Sequence, residues 1–146
     1  MEVTVSTITV AAAGILISGV LLGAKLVAVF RPRAKWTIEN IYGGSPDRTD
    51  STAYFAFNQG YAWADTVFWL PIQIAGSVGM LMGQRWGFLL AFVGSVPFWY
   101  TAITIFVWDR DMNIRRNTFV YWVLIWGIFP AFGVLEGVYC FLRLLE

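Results

Sequence analysis

The sequence predicts an all-α integral membrane protein, a four-transmembrane-helix bundle with proline-kinked helices, in a single transmembrane domain over 1–146. Three observations predict it. The 146 residues are 58% hydrophobic and only 13% charged, against roughly a quarter charged in a soluble domain, so there is little polar surface to face water. Four apolar runs, near 5–30, 61–82, 86–108 and 117–142, are each long enough to cross a hydrocarbon core of about 30 Å as a helix of roughly 20 residues. Strand-like alternation is absent from them, and backbone groups in lipid must be satisfied within a helix or a closed barrel.

The first run, TVSTITVAAAGILISGVLLGAKLVAVF, lacks the basic start and small-residue cleavage site of a secretory signal and is read as a true span. A polar loop follows over 31–60, opening with RPRAKW and carrying the turn-forming GGSPDRTDST. Gln84 and Arg85 turn the chain between the second and third runs, and WDRDMNIRRN joins the third to the fourth. Pro71, Pro97 and Pro130 fall near the middle of their runs, where each removes a helical hydrogen bond and predicts a kink. Trp36, Trp86, Trp108 and Trp122 lie near span ends and read as interfacial belt residues.

Charge and chemistry exclude several function classes. Ten Lys and Arg against nine Asp and Glu leave a net charge of +1, which gives no electrostatic case for nucleic acid. The chain has no histidine and a single cysteine, Cys140. That removes His-based metal and haem sites, Ser-His and Cys-His nucleophiles, and an intrachain disulfide. No metal and no cofactor is expected. Arg31, Arg33, Lys35, Arg48, Arg110, Arg115 and Arg116 fall on one side of the membrane, against Arg85 and Arg143 on the other. The charge rule therefore places the 31–60 loop and the 109–116 loop in the cytoplasm and both termini outside.

Ionisable groups inside a span cost at least about 2.5 kcal/mol at the bilayer centre and mark functional candidates. Asp65, Trp69 and Gln73 recur at helical spacing and continue as Ser77 and Met80 on one face of the second run. Lys25 lies at the matching depth of the first run, so a Lys25–Asp65 ion pair is geometrically open to an antiparallel hairpin. Trp122, Trp126, Phe129, Gly133, Glu136 and Cys140 form a similar stripe in the fourth run, with Arg85 or Arg143 as the structural partners expected for Glu136. Asp65 and Glu136, walled by Trp69, Trp126 and Tyr100 and helped by Gln73, suit a cationic or hydroxyl-bearing amphiphile.

These residues resemble the EXPERA family, the emopamil-binding and sigma-2-receptor-like four-helix membrane proteins. The second run, DTVFWLPIQIAGSVGMLMGQRW, is similar to that family's second helix, with its acid at Asp65. WGIFPAFGVLE resembles the fourth helix, with Trp126, Pro130 and Glu136 at the family's Trp, Pro and acid. Phe88, Ser95, Val96 and Tyr100 match a run in the third helix, and Trp36, Glu39, Tyr42, Asp47 and Arg48 look like the first connection. The resemblance covers roughly 36–142 and implies both termini in the cytosol, opposite to the charge rule. It also implies a pocket for a sterol. The family's isomerases use a His and a Glu of the first helix, whereas Lys25 is the only ionisable group in this chain's first run.

The leading expectation is thus a multi-pass protein that binds a sterol-like lipid or a cationic amphiphile in an intramembrane pocket. Two alternatives stay open. One is a sterol or lipid double-bond isomerase with Asp65 and Glu136 as a rearranged acid/base pair. The other is a small accessory subunit, in a homodimer or a larger membrane complex, with membrane lipids around it.

Overall fold

A computed structural model describes residues 1–42, 52–111 and 123–146 of the chain. The expected roles of Asp47, Arg48, Arg115, Arg116 and Trp122, and of the start of the fourth run, lie outside the described residues. Within them the chain is helical and contains no strand. Three helices among the described residues are long and apolar enough to cross a membrane: Val5–Phe30, Arg85–Trp108 and Val123–Leu145.

Helix α1 (Val5–Phe30) begins where Thr4 caps the first turn, its hydroxyl accepting from the Thr7 N–H while the Thr7 hydroxyl accepts from the Thr4 N–H. It ends at Arg31, whose helical conformation is opposed by the following Pro32. The chain then turns back through the short α2 (Lys35–Thr37) and a π-helical turn over Ile38–Tyr42. Thr37 Oγ1 donates to the Arg31 carbonyl at 2.9 Å, and the buried Tyr42 hydroxyl donates to the Ala28 carbonyl at 3.4 Å. Burial pushes the Tyr42 phenol above its ordinary pKa, which keeps it a neutral donor. Tyr54, from the next helix, donates in turn to the Tyr42 carbonyl.

The second run, expected over 61–82, is the end of a longer helical stretch from residue 52 to residue 81, so the helix takes in residues 52–60 of the expected 31–60 loop. It has three parts: α3 (Thr52–Ala64), a π turn (Asp65–Trp69) and α4 (Leu70–Leu81). A third π turn (Val123–Ile128) precedes α6 (Phe129–Leu145). The last two of these π turns come directly before a helix with proline in its first turn, Pro71 or Pro130. The physical link is the carbonyl four residues back, at Val67 and Trp126, which a proline ring would strike and leave without its donor. Both carbonyls fall inside the widened turn. Pro97 lies inside α5 (Arg85–Asp111), and the helix runs on through it.

The turn between α4 and α5 is decided by Gly83. Its φ of +67° closes a Schellman motif, with the Gly83 N–H on the Met80 carbonyl and the Gln84 N–H on the Gly79 carbonyl, both at 2.9 Å. Beyond it α4 and α5 press backbone to backbone: a Cβ on Gly76 would meet the Ala91 nitrogen at 2.5 Å, and one on Gly79 would meet the Gly87 Cα at 2.6 Å. Such small-residue contacts let apolar helices pack without a solvent-driven force. Helix α4 also packs on α1, and α5 on α6. At the turn end of the bundle Arg85 donates to the Leu144 carbonyl and Arg143 to the Glu2 carbonyl.

Candidate functional site

One face of the 52–81 stretch carries polar side chains into the bundle. Asp65 and Trp69 are almost fully buried, and Gln73, Ser77 and Met80 completely so. On α6 the residues Phe129, Gly133, Glu136, Gly137 and Cys140 form the matching inward face. The two faces meet at Gln73 and Glu136, where the amide Nε2 donates to both carboxylate oxygens at 2.6 Å. Glu136 has no exposure to the outside.

Two glycines make this meeting possible. A Cβ on Gly94 of α5 would sit 2.0 Å from Gln73 Oε1. On α1, a Cβ at Gly14 would meet Ser77 Oγ at 2.5 Å, Glu136 Oε1 at 3.2 Å and Gln73 Nε2 at 3.5 Å. The site is therefore assembled from α1, α4, α5 and α6, with polar atoms filling the space that side chains at Gly14 and Gly94 would occupy. Ser77 Oγ and Gln73 Oε1 in this site, and Ser18 Oγ one turn further along α1 from Gly14, are buried without a hydrogen-bond partner among the described residues. Unpartnered buried oxygens are rare, because each forfeits its hydration without replacement.

Asp65 belongs to a different centre. Lys25 Nζ reaches its Oδ2 at 2.7 Å, so the ion pair open to the sequence forms between α1 and the π turn. Asp65 lies eight residues before Gln73, about 12 Å along the axis at the helical rise. The two carboxylates thus have separate neighbours. Trp69 stands between them. Its indole N–H donates to the Gly94 carbonyl at 2.8 Å, and its ring meets Phe98 edge-on at 4.9 Å.

Two of the expected wall residues are elsewhere. Tyr100 is 56% exposed, because the inward face of α5 runs through Phe88, Ala91, Ser95 and Phe98, and a residue two positions past Phe98 is turned by about 200° to the outside. Trp126 is 38% exposed and packs edge-on against Phe106 at 5.4 Å. The π turn that contains it adds an extra residue to the turn, which rotates Trp126 off the Glu136 face. Arg85 and Arg143, the partners expected for Glu136, bond backbone carbonyls at the bundle end, and Arg143 also pairs with Glu146 at 2.6 Å. Trp108 stacks on Phe57 at a centroid distance of 4.0 Å, inside an aromatic cluster with Tyr54.

Sequence reasoning missed Ser18, Gly14 and the role of Gly94 as a wall. The signal was available for α1 in the spacing of Thr7, Ala11, Gly14 and Ser18, small residues at i, i+4, i+7 and i+11 that share its buried face. Among the described residues no group of three Cys, Asp or Glu comes together as metal ligands would. What the site offers is a carboxyl, Glu136, whose bonded partner among the described residues is a neutral amide, with the Ser77 hydroxyl and the Gln73 amide oxygen close by and without partners of their own.

The fold and site together define an all-helical protein with three helices fit to cross a membrane and a polar centre buried between them. Comparison with protein-family models, curated proteins and solved structures finds no match to this chain.

Proposed function

We propose that the chain is a four-span membrane protein whose central carboxylate, Glu136, receives the hydroxyl or ammonium group of a sterol-like lipid or a cationic amphiphile. The fourth span is the helical stretch 52–81, whose Asp65 and Gln73 make it more polar than its neighbours while leaving it packed between α1 and α5. Pro71, Pro97 and Pro130 bend their helices around the polar centre in this reading.

The observation that carries the proposal is Glu136 itself. It is fully buried, touched by the Gln73 amide and by no cation among the described residues, with the Ser77 hydroxyl and the Gln73 amide oxygen nearby and without partners. A buried carboxyl with so little compensation is costly to ionise. A ligand hydroxyl or ammonium placed there supplies the missing donors. The order of Asp65, Trp126, Pro130 and Glu136, similar to that of EXPERA proteins, supports the same reading. Binding is favoured over isomerase chemistry because Lys25 already holds Asp65, away from Glu136, so the two acids do not face one reacting centre.

The test is direct titration of the protein, purified in mild detergent, with sterols and with tertiary amines. Glu136→Gln is expected to weaken binding at least about tenfold, about 1.4 kcal/mol. Unchanged affinity in that variant removes Glu136 from the site, and a stoichiometric partner that co-purifies in place of a ligand would favour the accessory-subunit role.

A further inference from the structure

The two ends of the bundle use their basic residues differently. At the end formed by the α4–α5 turn, Arg85 and Arg143 donate inward to the Leu144 and Glu2 carbonyls. At the other end, Arg31, Arg33 and Lys35 follow one another within five residues and are all exposed. Arg33 rests its guanidinium 5.1 Å from the Phe55 ring centroid, a contact through its face that leaves the N–H edge open. Lys35 faces Glu39 at 3.8 Å, with both side chains well exposed, so this pair is screened and weak. No acid among the described residues pairs with Arg31 or Arg33.

We propose that residues 31–36 form a docking surface for the headgroups of anionic phospholipids, with Arg31, Arg33 and Lys35 facing the phosphates and Trp36 anchoring at the interface. The surface is held at the required height. Helix α1 ends at Phe30, which is 78% exposed, and Trp36 is 53% exposed six residues later. Between them the chain is fastened back over the end of α1 by the Thr37–Arg31 and Tyr42–Ala28 hydrogen bonds, with Ile38 and Tyr42 buried beneath. The backbone that carries three cations and one acid is therefore held where an apolar helix leaves the hydrocarbon. Charge complementarity then selects an anionic lipid over a zwitterionic one. This surface is separate from the Glu136 centre and does not depend on the function proposed for it.

The experiment titrates the full chain in mild detergent with phosphatidylglycerol and with phosphatidylcholine of the same acyl chains, counting bound lipid by native mass spectrometry. The wild type is expected to prefer phosphatidylglycerol at least about tenfold, with the preference falling as salt is raised. The triple variant Arg31→Gln, Arg33→Gln, Lys35→Gln loses that preference, Arg85→Gln keeps it, and Arg31→Lys with Arg33→Lys retains most of it. Should the triple variant not purify folded, each single Gln variant is expected to lose part of the preference. A preference unchanged in the Gln variants, or lost equally in Arg85→Gln, overturns the proposal. Competition by free glycerol phosphate at the strength of the lipid overturns it in favour of a soluble-anion site.

Discussion

Asp65 and Glu136 are both buried carboxylates on inward helix faces, yet they are held in opposite ways. Asp65 meets a cation, Lys25, at 2.7 Å, and among the described residues Glu136 is bonded to the neutral amide of Gln73 alone. Lys25 keeps some exposure, at 20% of its side chain, while Glu136 keeps none. An acid whose charge is matched inside the protein has a structural explanation. An acid without a matching cation, beside oxygens without partners, is the observation on which the proposed binding role rests.

The largest effect is expected where that contrast is broken at the ion pair. Lys25→Ala strands Asp65 without compensation and should cost about 3–5 kcal/mol, read as a lower unfolding midpoint in detergent. Asp65→Asn should cost less, roughly 1–3 kcal/mol, because the flexible Lys25 stem can carry its charge toward the headgroups once its partner is gone. Equal losses in the two variants would mean that Lys25 is as trapped as Asp65.

Overpacking the other centre comes next. Gly94→Ala places a methyl 2.0 Å from Gln73 Oε1, and should cost about 1–3 kcal/mol as the amide or helix α5 shifts. The same variant should also lose ligand binding, since Gln73 can no longer present its amide to Glu136. A stable Gly94→Ala protein with intact binding would show that the Gln73 contact is dispensable.

Glu136→Gln should change stability by less than about 1 kcal/mol, because a neutral group replaces a buried carboxylate and can still accept from Gln73. Its ligand affinity should nevertheless fall. That pairing of near-neutral stability with lost binding is the signature that separates Glu136 from Asp65. Smallest of all is Tyr100→Ala, expected within about 0.5 kcal/mol of wild type and without effect on binding, since the ring lies on the outer face of α5.

Parts of both centres were legible in the sequence. The i, i+4, i+8 spacing of Asp65, Trp69 and Gln73 put them on one face, and the matching depth of Lys25 pointed to its ion pair. Helix depth translates directly into which residues can meet across an antiparallel pair. The errors have one cause in common. Tyr100 and Trp126 were assigned by type and approximate depth, and their orientation depends on helix phase. For Trp126 that phase is shifted by a π turn ahead of Pro130, a local adjustment that an ideal 3.6-residue repeat does not contain. The partner of Glu136 was misjudged for a related reason. Arg85 and Arg143 reach carbonyls at the bundle end first, and only the packing of α4 and α6 on α5 brings Gln73 to the acid.

By itself the sequence determined that this protein is helical, that several of its helices are long and apolar enough for a membrane, and that a few polar groups must lie within them. Those properties follow from composition and from runs of neighbouring residues. Which carboxylate is matched by a cation and which is left to an amide was decided only by tertiary structure. The glycines at 14 and 94 let four helices approach closely enough for Gln73 and Glu136 to meet, and such close approach is a property of pairs of helices that no single run of residues records.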